Sequence, residues 1–324
     1  MAIHTLLTDT TLQTVAQTWA LGPLLGAEPL AKGGMATNYR LRTRQGLFFL
    51  RHTTTRDAED LAFEAALLSH LHLHHLAVPT LLPTAGGAPW LEVQGGRVSL
   101  FGWLAGEEVP KAALTPAHLE ALGALLGRVH RATESFAAER PNPYGLPVVR
   151  TWLEALVEHP EEALRTGARE MLGVLGEVEA HPPELEPLGV IHGDLFPDNV
   201  KWLGERLSAL LDFEMACHAP YGLDLAITLD AWCFDAGAWR PELAQALLRG
   251  YGQEHPLPEQ MRRALYAHAR FAAVRFATSR IRDYYLSPLP PDRLVRKDWR
   301  TWLARARTLQ SMGEEGFRQL VGLP

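Results

Sequence analysis

The sequence predicts an α+β chain of two lobes, a small antiparallel-sheet lobe followed by a larger, mainly helical one. Three observations predict it. Residues 30–50 and 90–104 read as strands joined by turns. Most of the chain after Thr115 instead spaces its apolar residues three and four apart. Between these patterns, Gly106 to Thr115 is a polar segment containing a proline, and it sets the expected boundary between lobes over residues 1–104 and 105–324.

In chain order, Thr10 to Trp19 has helical spacing at Leu12, Val15, Ala16 and Trp19, with threonines at its start as caps, and is expected to cover the first sheet. From Leu30 to Leu50 the pattern is strand, turn, strand, with Lys32, Gly33, Gly34 and Asn38 in or beside the turn and Arg51 closing the second strand. A helix from about Asp57 to His72 carries Glu64. The residues from Val98 to Leu104 are expected to be the last strand of the first lobe. Helices are then expected over Pro116 to Ala132, Thr151 to Glu179 with breaks near Pro160 and Gly173, Asp224 to Phe234, Pro241 to Tyr251, Pro258 to Tyr285 and Trp299 to Leu309.

Composition narrows the function classes. The 324 residues are 47% hydrophobic and 21% charged, an ordinary globular balance with room for two lobes. The net charge of −6 comes without a basic run, which argues against nucleic acid or an anionic membrane surface as partner. A small molecule is the expected partner. The two cysteines, Cys217 and Cys233, form no CxxC pair and suggest neither a disulfide scaffold nor a zinc site, which fits a reducing cytoplasm. No basic segment followed by an apolar core opens the chain and no apolar run approaches a membrane span, so neither export nor anchoring is expected.

The chemistry concentrates between Leu188 and Ala216, where polar residues sit between two apolar runs. His192, Gly193, Asp194 and Leu195, followed by Asn199, match the kinase catalytic-loop pattern, in which the Asp handles the acceptor hydroxyl and the Asn holds a magnesium ion. Asp212-Phe213 ends the second run. Phosphoryl transfer needs an acceptor-side carboxylate and oxygen ligands for the metal, and a hairpin brings both together. Magnesium is a hard ion served by one or two protein oxygens plus phosphate, which suits Asn199 and Asp212. His192 is expected to be a buried scaffold for the loop.

Three phrases carry a resemblance: HGDLFPDNV (192–200), YGLDLAITLDAWCF (221–234) and RFATSRIRDYY (275–285). The chain resembles the aminoglycoside phosphotransferase and choline kinase superfamily, relatives of protein kinases that act on small molecules, and is most similar to its homoserine kinase branch. The resemblance covers nearly the whole chain. It implies a protein-kinase-like fold, ATP and Mg2+ as cofactors, and a small hydroxyl acceptor. Asp194 is then the catalytic residue, and Asn199 and Asp212 the metal ligands. Gly33, Gly34 and Asn38 fall in the nucleotide-covering hairpin, and Arg51 stands where the fold usually places a phosphate-pairing lysine, with Glu64 as its partner. Backbone groups near Phe101 and Trp103 would meet the adenine. On the acceptor side, Arg275 and Arg280, with Arg282 nearby, would serve a carboxylate and Asp230 an ammonium. Gly193 replaces the arginine of protein kinases, and Phe-Glu replaces Phe-Gly after Asp212. The branch usually has Asn at the position of Asp230 and an aromatic at that of Glu214. Extra acids there would suit an aminoglycoside, choline or another amino alcohol. A catalytically inactive nucleotide-binding module is the alternative from a different class, and the presence of Asp194, Asn199 and Asp212 argues against it.

Overall fold

The computed structural model describes residues 6–30, 36–180, 186–287 and 297–323. These form two compact units, one running to Ala105 and including Ser287, the other from Gly106 to Leu286 and from Lys297 onward.

The first unit is a six-stranded antiparallel sheet with two helices. Helix α1 (Asp9–Thr18) starts at Thr8, whose side chain accepts from the Thr11 amide. Strands β1 (Leu24–Leu30), β2 (Thr37–Thr43) and β3 (Gly46–Thr53) follow, then helix α2 (Ala58–Leu73), capped by Asp57. Strands β4 (Leu81–Leu82), β5 (Leu91–Val93) and β6 (Gly96–Gly102) complete the sheet in the order β1-β2-β3-β6-β4, with β5 also on β6. The register separates the two faces, because cross-strand partners share a face. Tyr39, Leu50 and Leu100 are partners and belong to the core that α1 closes with Leu12, Val15 and Trp19. Asn38, Arg51 and Ser99 are partners on the other face.

The second unit is mainly helical. Helices α3 (Pro116–Thr133), α4 (Leu146–Glu154) and α5 (Glu162–Ala180) precede β7 (Leu188–Ile191). The expected break at Gly173 does not occur; α5 runs through it, because an interior helical glycine costs only about 1 kcal/mol and the rest of the 19-residue helix offsets that. The hairpin β8 (Val200–Leu203) and β9 (Arg206–Leu210) turns at Gly204, and β10 (Cys217–Pro220) pairs with β7. Every residue of α6 (Tyr221–Trp232) is buried, as an all-round apolar helix requires. Helix α7 (Pro241–Glu254) packs against α3 through paired glycines: a Cβ on Gly123 would stand 2.0 Å from the Leu247 carbonyl oxygen, and one on Gly250 2.0 Å from that of Glu120. Helix α8 (Glu259–Arg280) continues as a π-helical turn to Tyr285, and α9 (Arg300–Leu320) breaks at Gly313. No helix among the described residues is long and apolar enough to cross a membrane.

Candidate active site

The loop from His192 to Asn199 leaves β7 and enters β8, and buried groups hold it from beneath. Asp224, on α6, accepts the His192 amide (2.7 Å) and the Gly193 amide (2.9 Å). Its Oδ2 also lies 3.0 Å from His130 Nε2 on α3. Burial opposes the charge on Asp224, but His130, His192 and the Gly193 amide outweigh it and hold the carboxyl below its ordinary range. Burial in turn lowers His130, leaving it neutral, so Nε2–H donates to Asp224 and Nδ1 accepts from the Tyr251 hydroxyl at 2.9 Å. Gly193 has φ +73°, and a Cβ there would meet the Met215 carbonyl oxygen at 2.9 Å. That explains glycine before the acid. His192 is fully buried and is a strut: Nε2–H donates to the Leu211 carbonyl at 2.8 Å, and Nδ1 accepts the Asp194 amide at 3.3 Å.

The structure brings Asp194, Asn199 and Asp212 together. Asn199 Nδ2 donates to the Asp194 carbonyl (2.8 Å) and lies 3.4 Å from Asp194 Oδ2, which leaves its Oδ1 for another partner. The Leu211 amide donates to the Asn199 carbonyl at 2.8 Å, which places Asp212 beside Asn199 across the hairpin. Asp212 adopts φ 60°, ψ 71°, a left-handed conformation that Asp tolerates better than most side chains and that is characteristic of functional sites. One amide oxygen and one carboxylate are hard donors, and this set fits a hard divalent cation such as magnesium. Asp194 is half-buried; burial pushes its carboxyl up to about 7, with Arg275 and Lys297 opposing and Asp198 and Glu214 adding to the rise.

Arg275 is buried, with its guanidinium 4.3 Å from the Tyr144 ring centroid and 3.8 Å from that of Phe276, and it lines a small cavity with Asn142, Tyr144, Gly193 and Cys217. Burial lowers its pKa, and Asp194 is the main charge acting against that. Arg282 shares Tyr144, donating to its hydroxyl at 3.0 Å. Arg280 donates to the Asp298 carbonyl at 2.8 Å. Asp230 is fully buried on α6 and neither carboxylate oxygen has a hydrogen-bond partner.

In the first unit, Arg51 and Glu64 form a buried ion pair at 2.5 Å. A second guanidinium, Arg56, bonds the same Glu64 oxygen. Burial works against the Glu64 charge, but Arg51 and Arg56 together hold its carboxyl below the ordinary range. Arg51 lies 5.1 Å from the Phe101 ring centroid. Asn38 is buried beside Arg51 in β2; Phe101 is buried in β6, and Trp103 follows that strand half-buried. Gly33 and Gly34, with Lys32, lie outside the described residues. Sequence reasoning missed Arg56, Asp224 and His130. Asp224 had one signal, an acid inside an otherwise apolar helix.

A sheet unit carrying a buried Arg–Glu pair and a helical unit carrying the Asp194, Asn199 and Asp212 hairpin define a protein-kinase-like phosphotransferase. The chain belongs to the phosphotransferase enzyme family, whose sequence profile matches residues 26–266, and it is an ATP-dependent kinase of small molecules. It is 35% identical to the homoserine kinase of Nitrobacter winogradskyi over 97% of this chain and 96% of that protein. It is 32% identical to the homoserine kinase of Sinorhizobium medicae over 98% of each chain. Its fold is similar to that of an amicoumacin kinase in complex with AMP-PNP and Ca2+, at a TM-score of 0.73 and 18% identity over 95% of this chain and 93% of that one.

Proposed function

We propose that the protein transfers the γ-phosphoryl group of ATP to the hydroxyl of homoserine in a magnesium-dependent reaction. Its 32–35% identity to homoserine kinases along nearly its whole length carries this reading. Asp194 accepts a hydrogen bond from the acceptor hydroxyl and aims its oxygen at the γ-phosphorus; that O–P bond forms as the bond to the ADP oxygen breaks, and the hydroxyl proton passes late to Asp194. Asn199 Oδ1 and the Asp212 carboxylate would hold Mg2+. Magnesium supplies charge neutralisation along the nucleotide phosphates. Arg51, fixed by Glu64, is assigned to those phosphates, where a guanidinium replaces the usual ammonium and keeps the charge. Gly33, Gly34 and Asn38 are assigned to the hairpin over the nucleotide, and backbone groups near Phe101 and Trp103 to the adenine. Arg275 keeps its place as the buried counter-charge of Asp194. For the acceptor ammonium, Glu214, half-buried and acting electrostatically on Asp194, is better placed than the sealed Asp230. A reaction that consumes ATP and needs no disulfide suits the cytoplasm.

The test is an ATP-consumption assay with and without Mg2+ against homoserine, aminoglycosides, choline, ethanolamine and free sugars. Homoserine should be turned over only with the metal, and Asp194→Asn should lower kcat by about 10²–10⁴-fold while ATP still binds. Turnover of an aminoglycoside or choline with none of homoserine would sink the homoserine reading, and no turnover of any acceptor would restore the binding-module reading.

A further inference from the structure

Lys111, Arg280 and Arg305 reach one place from three parts of the second unit: the turn before α3, the end of α8, and α9. All three are half-buried. Lys111 Nζ donates to the carbonyls of Ala231 (2.5 Å) and Phe234 (2.9 Å), and Arg305 Nη1 to that of Asp230 (2.7 Å), all at the C-terminal end of α6. The Arg305 and Arg280 guanidinium groups lie 4.2 and 5.6 Å from the Trp302 ring centroid. Among the described residues none of the three cations forms an ion pair with a carboxylate.

A helix C-terminus carries about half a negative charge and accounts for one cation, not for three. The buried acid beside them does not supply the rest. Asp230 is sealed, neither of its carboxylate oxygens has a hydrogen-bond partner, and burial pushes its carboxyl well above the ordinary carboxylate range against the pull of Arg305. Burial and mutual repulsion meanwhile depress Lys111 to about 8 and Arg280 to about 10, with Asp235 and Cys233 partly opposing on Lys111. Arg240, whose Nη1 lies 3.5 Å from the Lys111 carbonyl, is already neutralised by Glu242 at 2.9 Å. The cluster thus has spare N–H donors and excess positive charge in partly desolvated surroundings, where an incoming anion gains most. The Trp302 ring that Arg280 and Arg305 share lies 5.6 Å from the ring of Phe196, two residues past Asp194 in the loop, so the cluster adjoins the reacting position.

We propose that Arg305 and Lys111 join Arg280 to receive the carboxylate of the acceptor while its hydroxyl meets Asp194. This rests on the reading of the chain as a kinase of a hydroxy amino acid, and it separates acceptor classes, since choline, ethanolamine and aminoglycosides have no carboxylate to place there.

The experiment compares kcat/KM for L-homoserine, its carboxamide and 3-aminopropan-1-ol, which is homoserine without the carboxylate, in the wild-type enzyme, Arg305→Gln and Lys111→Met. The wild type should prefer homoserine to both neutral-ended acceptors. Each variant should reduce the homoserine to 3-aminopropan-1-ol ratio about 10–100-fold, the size of one or two charge-assisted hydrogen bonds, through KM for homoserine. Equal losses on both acceptors would overturn the proposal and leave the residues as caps of α6. Should a variant fail to fold, the wild type decides: equal use of homoserine and its carboxamide overturns it. Should the wild type ignore homoserine but phosphorylate another hydroxy acid with the same variant losses, the cationic seat stands and the homoserine reading falls. Turnover of carboxylate-free alcohols alone overturns both.

Discussion

One Glu64 oxygen binds both Arg51 and Arg56, so the two arginines are unequal to the carboxylate they share. Removing Arg51 leaves Glu64 paired with Arg56; removing Glu64 leaves two buried guanidinium groups against each other. Glu64→Ala is therefore expected to cost about 3–5 kcal/mol, the range for breaking a buried pair, and Arg51→Ala distinctly less. Urea melts of the two variants check the order, and equal losses would show that Arg56 does not share the load. The Glu64 carboxyl is held below its ordinary value of 4.5, so its stabilisation is complete above that pH and is lost as pH falls through the folded value. Kinetically the order reverses in kind: Arg51→Ala should raise KM for ATP more than KM for the acceptor, while Arg51→Lys keeps substantial activity. Arg51 was legible because it directly follows the apolar run from Leu47 to Leu50. Arg56 was not, because nothing in a loop arginine's neighbourhood says that it folds back onto a helix.

At the scale of elements, the hairpin proposed to be catalytic was legible because its parts are close in sequence: β8, its glycine turn and β9 leave little freedom between Asn199 and Asp212. The clamp beneath it was not, since Asp224 reaches the His192 amide across 32 residues of chain. Helix α6 hid its own geometry, because a helix buried on every side has no polar face to mark which residue looks where; Asp230 was read as open to an ammonium and is sealed. Strand β1 was missed for a different reason: LLGAEPL does not alternate, and an edge strand tolerates its glycine and proline. The same local view made Gly173 a helix breaker and said nothing of Gly123. The structure ranks these two glycines oppositely. Gly123→Ala, with a backbone oxygen 2.0 Å from the new methyl group, should force α3 and α7 apart and cost about 1–3 kcal/mol or more. Gly173→Ala, with nothing within 4 Å, should gain about 0.5–1 kcal/mol from reduced backbone entropy. Thermal unfolding of both checks the signs, and a neutral Gly123→Ala would mean that the α3–α7 contact yields without loss.

Over the whole molecule, a net charge of −6 coexists with three cations around the end of α6 that, among the described residues, form no ion pair with a carboxylate. Composition shows no basic run and conceals this cluster, since Lys111 and Arg305 lie 194 positions apart in the chain. Their pairing depends on tertiary packing that no spacing rule reaches. It has a consequence in pH. Lys111 is a base depressed to about 8 by burial and by Arg305 and Arg280, against Asp235 and Cys233, so it carries its charge below that pH and loses it above. If the charge receives the acceptor's carboxylate, kcat/KM for homoserine should fall as pH rises through about 8, whereas Lys111→Arg, still charged there, should hold its plateau to higher pH. The acceptor's own amine also titrates on this side, and 3-aminopropan-1-ol, which has an amine but no carboxylate, isolates that contribution. Profiles of both acceptors at saturating ATP decide the matter: an alkaline limb for homoserine that persists unchanged in Lys111→Arg, or that 3-aminopropan-1-ol shares in full, would remove Lys111 from the acceptor site and return it to capping α6.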